Sequence, residues 1–379
     1  MLQIGVLLPS SGAGAAIGQS ARAAIRVAVD LANQNGGVNG HPVQTYFRDE
    51  GADAVTASIG LDQLLANQVD VIIGPGSSNT TVALLPKIVQ AGVAACSPSA
   101  SALELDTFPD RGLFFRTIPS DSLQAEAIAK VIEQTGDTSA AVGFVNDAYG
   151  RPFELAVEHA LRARGIAVSD SVGYAVDDDE FSTEATRLAK AGNGAIALIG
   201  DPDAGFRMLA ALAEATKASP RDIVLNDAMR KPWSLSLVAS VSKDARHRII
   251  GVSQSVQTSD KTLLAALTSK DPGATGLFAS QAYDCANLFM LAAQRSGSTQ
   301  PDQLAALVPD ISAGGSVCAT FVQCADLLKQ GRNVDYEGPT GVLVLGKSGD
   351  PSAGEFEEFN FDDTGRDVLV QDITVTGNQ

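Results

Sequence analysis

The chain has 379 residues, 45% hydrophobic and 19% charged, a globular mix that excludes intrinsic disorder, and no apolar run approaches the roughly 20 residues of a membrane span. Its 27 Lys plus Arg face 44 Asp plus Glu, and the formal charge of -17 excludes a general attraction to nucleic acid or anionic lipid. Aromatics at 5% beside 36 glycines favour an α/β protein with many tight strand-to-helix turns, and the length allows two domains.

In chain order, Gln3 to Leu8 is a short apolar run, followed by a Gly-rich turn and an amphipathic stretch from Gln19 to Asn33 that Gly36-Gly37 stops. This is strand, loop, helix. Val43 to Phe47 reads as a second strand, Ala52 to Ala66 as a helix, Val69 to Ile73 as a third strand, Ser78 to Ala91 as a helix, and Val93 to Cys96 as a strand ending in Ser97-Pro98. Strands alternating with helices predict a parallel sheet. From Ala140 the order restarts: strand Ala140 to Val145, loop Asn146 to Gly150, helix Pro152 to Arg164, strand Ile166 to Val172, acidic turn Asp177 to Glu180, helix Phe181 to Ala191 and strand Ala195 to Ile199. The third strand ends in Gly74-Pro75 in the first copy and in Gly200-Asp201-Pro202 in the second. Two similar lobes, each a doubly wound sheet, are therefore expected. After Ile249 helices fit Asp260 to Thr268, Ser280 to Arg295 and Phe321 to Gln330, and strands return at Gly341 to Leu345, Phe356 to Phe361 and Val368 to Val375, as if the chain revisits both lobes.

Motifs for cofactors and covalent chemistry fail on spacing. Gly12 and Gly14 would need a third glycine at position 17 for a dinucleotide fingerprint, where Ile17 stands. No Gly-Lys-Ser/Thr follows Gly74-Pro75-Gly76-Ser77-Ser78, and no nucleophile elbow occurs. The three histidines, His41, His159 and His247, have no nucleophile or metal partner nearby in sequence and read as solvated surface. Asp177-Asp178-Asp179-Glu180 lacks the alternation and glycine of a calcium loop and reads as a turn, with Asp179 or Glu180 near a helix start. No metal and no cofactor is expected.

What remains lies at the carboxyl ends of strands, where open α/β sheets bind ligands. Ser77, Ser78, Thr80 and Thr81 follow the third strand, and Ser97, Ser99 and Ser101 the fourth. Hydroxyls and unpaired backbone N–H groups at two adjacent turns can hold a carboxylate without a lysine. The corresponding ends of the second copy offer Tyr149, Asp201, Asn226 and Asp227. An anion cradle opposed to carboxylates is the charge pattern of a zwitterion such as a free amino acid. Cys318 and Cys324 bracket Thr320, which with Gln323 fits a capping box, and they are close enough to bridge in a protein held outside the reducing cytosol. Cys96 and Cys285 lie in apolar settings and read as small buried hydrophobes. Met1 directly precedes a strand-like segment, so the chain is either cytoplasmic or an exported protein whose signal an initiator Met has replaced.

Five stretches taken together resemble the periplasmic type I substrate-binding proteins of ABC transporters, in the branched-chain amino-acid (Leu/Ile/Val) binding group. They are Ile4 to Pro9 with Ser11-Gly12, Asn35 to Gly40, Val71 to Pro75, Cys96 to Ser101 and Asn146-Asp147-Ala148-Tyr149-Gly150, in the family's order and across essentially the whole chain. The resemblance implies two lobes joined by a three-crossover hinge, one of residues 1–118 plus 253–337 and the other of 119–252 plus 338–379, closing on a ligand in the cleft. It implies a periplasmic or extracellular monomer, with lipid anchoring of the precursor an open option, and an ABC permease as partner. Residue by residue, Ser78 matches the serine that meets the ligand carboxylate, with Ser77 beside it; Ser99, Ala100 and Ser101 match the second contact turn, where the family commonly has Thr at Ser101. Tyr149 matches a tyrosine at the cleft edge and Asp227 the acid for the ligand ammonium, one carbon shorter than the usual Glu. Asp201 and Ile17 stand where aromatics are common, which points to a more polar ligand than leucine. A sensor domain of the same fold and an α/β enzyme using Ser78 or Ser99 as nucleophile with Asp227 are the alternative readings.

Overall fold

The computed structural model describes all residues except 13, 148, 179, 202, 203, 231–237, 239, 240, 256–258, 347, 378 and 379. The readings made on Ala148, Asp179 and Pro202 therefore lie outside the described residues. The chain divides into two compact units, Met1–Pro119 with Val256–Ala353, and Ser120–Ser255 with Gly354–Asn378.

In the first unit, strands β1 (Gln3–Leu8), β2 (Gln44–Asp49), β3 (Val71–Ile73), β4 (Ala94–Ser97) and β5 (Phe114–Arg116) form one parallel sheet in the order β2-β1-β3-β4-β5. The chain winds from β1 outward to β2 and then returns to the other side of β1, so the winding reverses between β1 and β3, and the carboxyl ends of those strands border the crevice this reversal leaves. Every residue of β3 and β4 is buried, as expected of parallel strands covered on both faces. Helices α1 (Ala15–Gln34), α2 (Ala54–Ala66) and α3 (Ser78–Ala91) supply the crossovers. The buried face of α1 is mostly small, with Ala21, Ala24, Ala28 and Ala32 at helical spacing, and it packs against the helix Ala279–Ser296. That helix has 15 of its 18 residues buried and runs through the core of the unit.

The second unit repeats the plan with α4 (Asp121–Gln134), β6 (Ser139–Val145), α5 (Gly150–Ala163), β7 (Ala167–Tyr174), α6 (Ser182–Lys190), β8 (Ile196–Ile199), α7 (Ala204–Ala215), β9 (Ile223–Leu225) and β10 (Ile249–Gln254). Here β7-β6-β8-β9 mirrors β2-β1-β3-β4, and the winding reverses between β6 and β8. The sheet is not wholly parallel: Ala353–Phe361 pairs antiparallel with β10, and Asp367–Thr376 lies beyond it at the edge. Residues 341–345, expected as a strand, make only an isolated bridge from Leu345 to Pro351. Residues 338–353, which the sequence pattern placed with the second lobe, belong to the first unit, where Leu343 and Leu345 are buried in its core.

Two disulfides are present. Cys318 and Cys324 are bridged, and Thr320 caps the intervening helix start with its Oγ1 accepting from the Gln323 N–H at 3.3 Å. Cys96 and Cys285, read as unlinked hydrophobes, are also bridged, β4 to the central helix, with both residues fully buried. Their separation of 189 residues hides a proximity that only the packing of that helix under the sheet creates. Asp284 on the same helix is fully buried and accepts from the Tyr336 hydroxyl at 2.6 Å and the Thr340 N–H at 3.0 Å; burial pushes its carboxyl up to about 7.

The loop-entropy model gives the long-range bridge up to about 5 kcal/mol and the short ring about 2 kcal/mol. The Cys96→Ala/Cys285→Ala variant is accordingly expected to lose more of its urea midpoint than Cys318→Ala/Cys324→Ala, and the reverse ranking would contradict the assignment. For Asp284, a folded pKa above the unfolded value near 3.9 means its contribution is complete below about pH 4 and lost as pH rises through about 7. Unfolding free energies between about pH 4.5 and 8 should therefore fall less steeply for Asp284→Asn than for the native chain, whereas parallel slopes would show that this carboxyl does not titrate there.

Candidate functional site

In the first unit the two serine-bearing turns are adjacent because β3 pairs with β4, Ile73 opposite Cys96. Their side chains tie them together. Ser97 Oγ donates to the Pro75 carbonyl at 2.6 Å and accepts from the Ala100 N–H at 3.0 Å. Ser99 Oγ donates to the Gly76 carbonyl at 2.8 Å. Ser78 Oγ accepts from the N–H groups of Ser101 at 3.2 Å and Ala102 at 3.3 Å. A serine oxygen that accepts twice keeps its own proton for a further acceptor, so Ser78 presents a polarised O–H. The backbone N–H groups of Ala100 and Ser101 are already engaged inside the turn, so the donors this region offers are the hydroxyls of half-buried Ser78 and Ser101 and exposed Ser77 together with the first N–H groups of α3. Ile17 is half-buried in the first turn of α1, at the carboxyl end of β1.

One residue of this region escaped the sequence reading. Glu50, one position past the end of β2, is 1% exposed, and its carboxylate accepts from the Gly76 N–H at 2.7 Å and the Ser77 N–H at 2.9 Å. Ser77, the N-cap of α3, makes no side-chain cap bond, and Glu50 instead holds the two residues that lead into this helix. Burial raises its pKa while the two N–H groups and the Thr80 side chain act to lower it. Gly76 is tightly enclosed: a Cβ there would meet Ser99 Oγ at 3.1 Å, Leu8 at 3.2 Å and Glu50 Oε2 at 3.3 Å. Its neighbour Asp49 holds the loop after β1, accepting from the Ser10 N–H and the Ser11 hydroxyl, each at 2.7 Å. The signal available was an acidic pair, Asp49-Glu50, at the carboxyl end of a strand.

Arg116, fully buried at the end of β5, fastens the second turn from behind. It donates to the Ala102 carbonyl at 3.1 Å and pairs with Asp106 at 2.6 Å and Asp350 at 2.7 Å.

In the second unit Asn226 organises the strand ends. Fully buried, it accepts from the Gly200 N–H at 2.9 Å and donates to the Gly200 carbonyl at 3.1 Å and to the Tyr149 hydroxyl at 2.8 Å. Tyr149, half-buried at the start of α5, is thereby held at the ends of β8 and β9. Burial raises its pKa well above the usual value, and the negative charges of Asp227, Asp121 and Asp147 raise it further. Asp227 opens the short 3-10 turn after β9 and is half-buried. Asp121, in the first turn of α4 and 1% exposed, is the second residue that the sequence reading missed. Asp201 is half-buried and accepts from the Ala204 N–H at 2.9 Å, and Asp147 accepts from the N–H groups of Tyr149 at 3.0 Å and Gly150 at 2.8 Å; both therefore cap helices. His41, His159 and His247 are exposed, and His247 lies 3.1 Å from Asp363. No group of three or more potential metal-ligating side chains occurs among the described residues. No helix among them is long and apolar enough to cross a membrane.

The first unit thus offers hydroxyl donors at its switch point, and the second a tyrosine set among carboxylates at its own. The substrate-binding protein BasB of a chemotactic signal transduction system in Halobacterium salinarum is 28% identical over 369 residues, 93% of this chain and 85% of its own. A leucine-, isoleucine-, valine-, threonine- and alanine-binding protein of Pseudomonas aeruginosa is 25% identical, covering 80% of this chain and 81% of its own. Among solved structures, the branched-chain amino acid transporter substrate-binding protein LivJ of Streptococcus pneumoniae, in complex with isoleucine, superposes with a TM-score of 0.72 at 19% identity over 99% of both chains. A solute-binding protein of R. palustris in complex with 4-hydroxybenzoate does so at 0.74 and 17% identity, over 99% of this chain and 97% of that one. These likenesses establish the type I periplasmic binding protein fold. The family model for periplasmic binding proteins matches residues 1–350, and the chain belongs to that family.

Proposed function

We propose that this chain is an extracytoplasmic substrate-binding protein of an ABC importer that captures an amino acid or similar small zwitterion and returns it unchanged. The observation that carries the reading is the Tyr149 hydroxyl, held by Asn226 and set in the field of Asp227, Asp121 and Asp147, a place where a positive charge is favoured. Ser78, with its proton left to donate, supplies the complementary preference for a carboxylate. In this reading Asp227 takes the ammonium of the ligand, and Ser78 with Ser101 its carboxylate. Two bridged cysteine pairs suit an oxidising compartment. Ligand capture is also favoured over acyl chemistry by the state of the serines, since the Ser99 hydroxyl donates to a carbonyl and no base takes its proton. The resemblance to BasB supports a second reading, delivery of the bound ligand to a signalling receptor instead of a permease.

The test is a melting-shift screen of the twenty amino acids, with aromatic monocarboxylates as the competing class, followed by calorimetric titration. A ligand at about 100 times its Kd stabilises the fold by about 2.7 kcal/mol. Hydrogen bonds to charged groups are worth roughly 1.5 to 3 kcal/mol, so Asp227→Ala is expected to weaken a confirmed amino acid by about one to two powers of ten, and Ser78→Ala by less. Unchanged affinity in Asp227→Ala would remove the ammonium assignment, and exclusive binding of simple carboxylates would remove the zwitterion.

A further inference from the structure

Beside α1 the first unit has a pocket of about 370 Å³, lined by Ser10 after β1, by Ala15, Gln19, Arg22 and Arg26 of α1, and by Asp271 just past the helix Lys261–Lys270. None of the residues read as ligand contacts lines it. Arg22 and Arg26, one helical turn apart, both lie over the ring of Phe47 on β2, with guanidinium carbons 5.4 and 4.5 Å from its centre. Neither makes a hydrogen bond or an ion pair with any described residue. Burial lowers the pKa of half-buried Arg22 and the adjacent Arg26 charge lowers it further, while Asp49 acts the other way. Both arginines stay charged at any ordinary pH. Asp49 is itself engaged, since it accepts from the Ser10 and Gly51 N–H groups and the Ser11 hydroxyl. In a chain of formal charge -17, two like charges are thus held over one ring without an acid to pair them.

Asp271 sets the chemistry of the opposite wall. Its Oδ1 accepts from Gln19 Nε2 at 2.8 Å and from the Gly273 N–H at 3.0 Å, while Oδ2 has no partner among the described residues. A fixed carboxylate in such a pocket repels an extended polyanion, and it repels any oxyanion that lacks a proton to give it. Sulfate has no proton near neutral pH, and a phosphoryl ester, with a second pKa near 6, has largely lost its own. Free phosphate keeps at least one.

We infer that this pocket is a site for inorganic phosphate, separate from the amino-acid site proposed above: Arg22 and Arg26 donate to its charged oxygens, and Asp271 Oδ2 accepts from its P–O–H. Two guanidiniums present N–H donors suited to a compact oxyanion, and a bound dianion would offset their mutual repulsion.

The test compares sodium phosphate, sulfate, glycerol phosphate and chloride at equal ionic strength and about pH 7.5, by melting shift and then by calorimetry. Phosphate is expected to stabilise the native chain more than the other three anions. Arg22→Gln/Arg26→Gln should weaken phosphate by about tenfold or more. Asp271→Asn keeps an oxygen for Gln19 and Gly273 but removes the charge, so it should bring sulfate to within about twofold of phosphate. Equal effects of phosphate and sulfate on the native chain would overturn the inference, as would phosphate binding undiminished in the double arginine variant, which would place the anion elsewhere. Should that variant fail to fold, Arg26→Gln alone, at an exposed position, supplies the same reading, and unchanged phosphate affinity there has the same meaning.

Discussion

The groups of the two candidate regions stand where parallel strands end and helices begin, and their chemistry follows from one constraint at that junction. The first N–H groups of a helix have no intrahelical partner, and in a wound sheet several such helix starts converge on one edge. Those donors must be satisfied by protein, water or ligand. In the first unit the protein does part of this itself. Glu50 holds the Gly76 and Ser77 N–H groups that lead into α3, Ser97 and Ser78 accept from the following turn, and Ser97 and Ser99 return their protons to the carbonyls of Pro75 and Gly76. What is left for a ligand is a few hydroxyls of defined direction and the first N–H groups of α3.

The second unit meets the same constraint with the opposite charge. Asp147 and Asp201 cap α5 and α7, and Asn226 uses both ends of its amide to join Gly200 and Tyr149. Both acids serve helix starts, and Asp147 also acts, with Asp227 and Asp121, on the half-buried Tyr149 phenol. Two copies of one winding pattern have thus become a donor-rich and an acceptor-rich edge by changing the side chains that cap the helices and leaving the fold alone. The buried Arg116 pairing and the Cys96–Cys285 bridge secure the serine turn from beneath, so its geometry is held by core packing as well as by its own hydrogen bonds.

Much of this was legible in the residues themselves. Local periodicity located β1, α3 and the repeat beginning near Ala140, because a two-residue alternation or a 3.6-residue stripe is a property of neighbours in the chain. The serine clusters, Tyr149 and Asp227 stood out because strand ends can be found from those periods, and the capping residue Thr320 because a cap is a local motif. The antiparallel extension of the second sheet was less visible. Strand direction depends on which strand is the neighbour, and Ala353–Phe361 finds its partner about a hundred residues earlier in the chain.

The sequence by itself determined the alternation, the two-copy plan and the places where helices start, since each of these is written in contacts between residues a few positions apart. Tertiary structure alone decided the long-range partners. Glu50 acts on a turn 26 positions away, Cys96 bonds to Cys285 across 189, and Arg116 meets Asp350 across 234. No local pattern encodes those distances. They exist because β2, β1 and β3 lie side by side, because the helix Ala279–Ser296 is threaded through the core, and because residues 338–353 pack back against the first sheet, which together settle where each charge and each hydroxyl comes to rest.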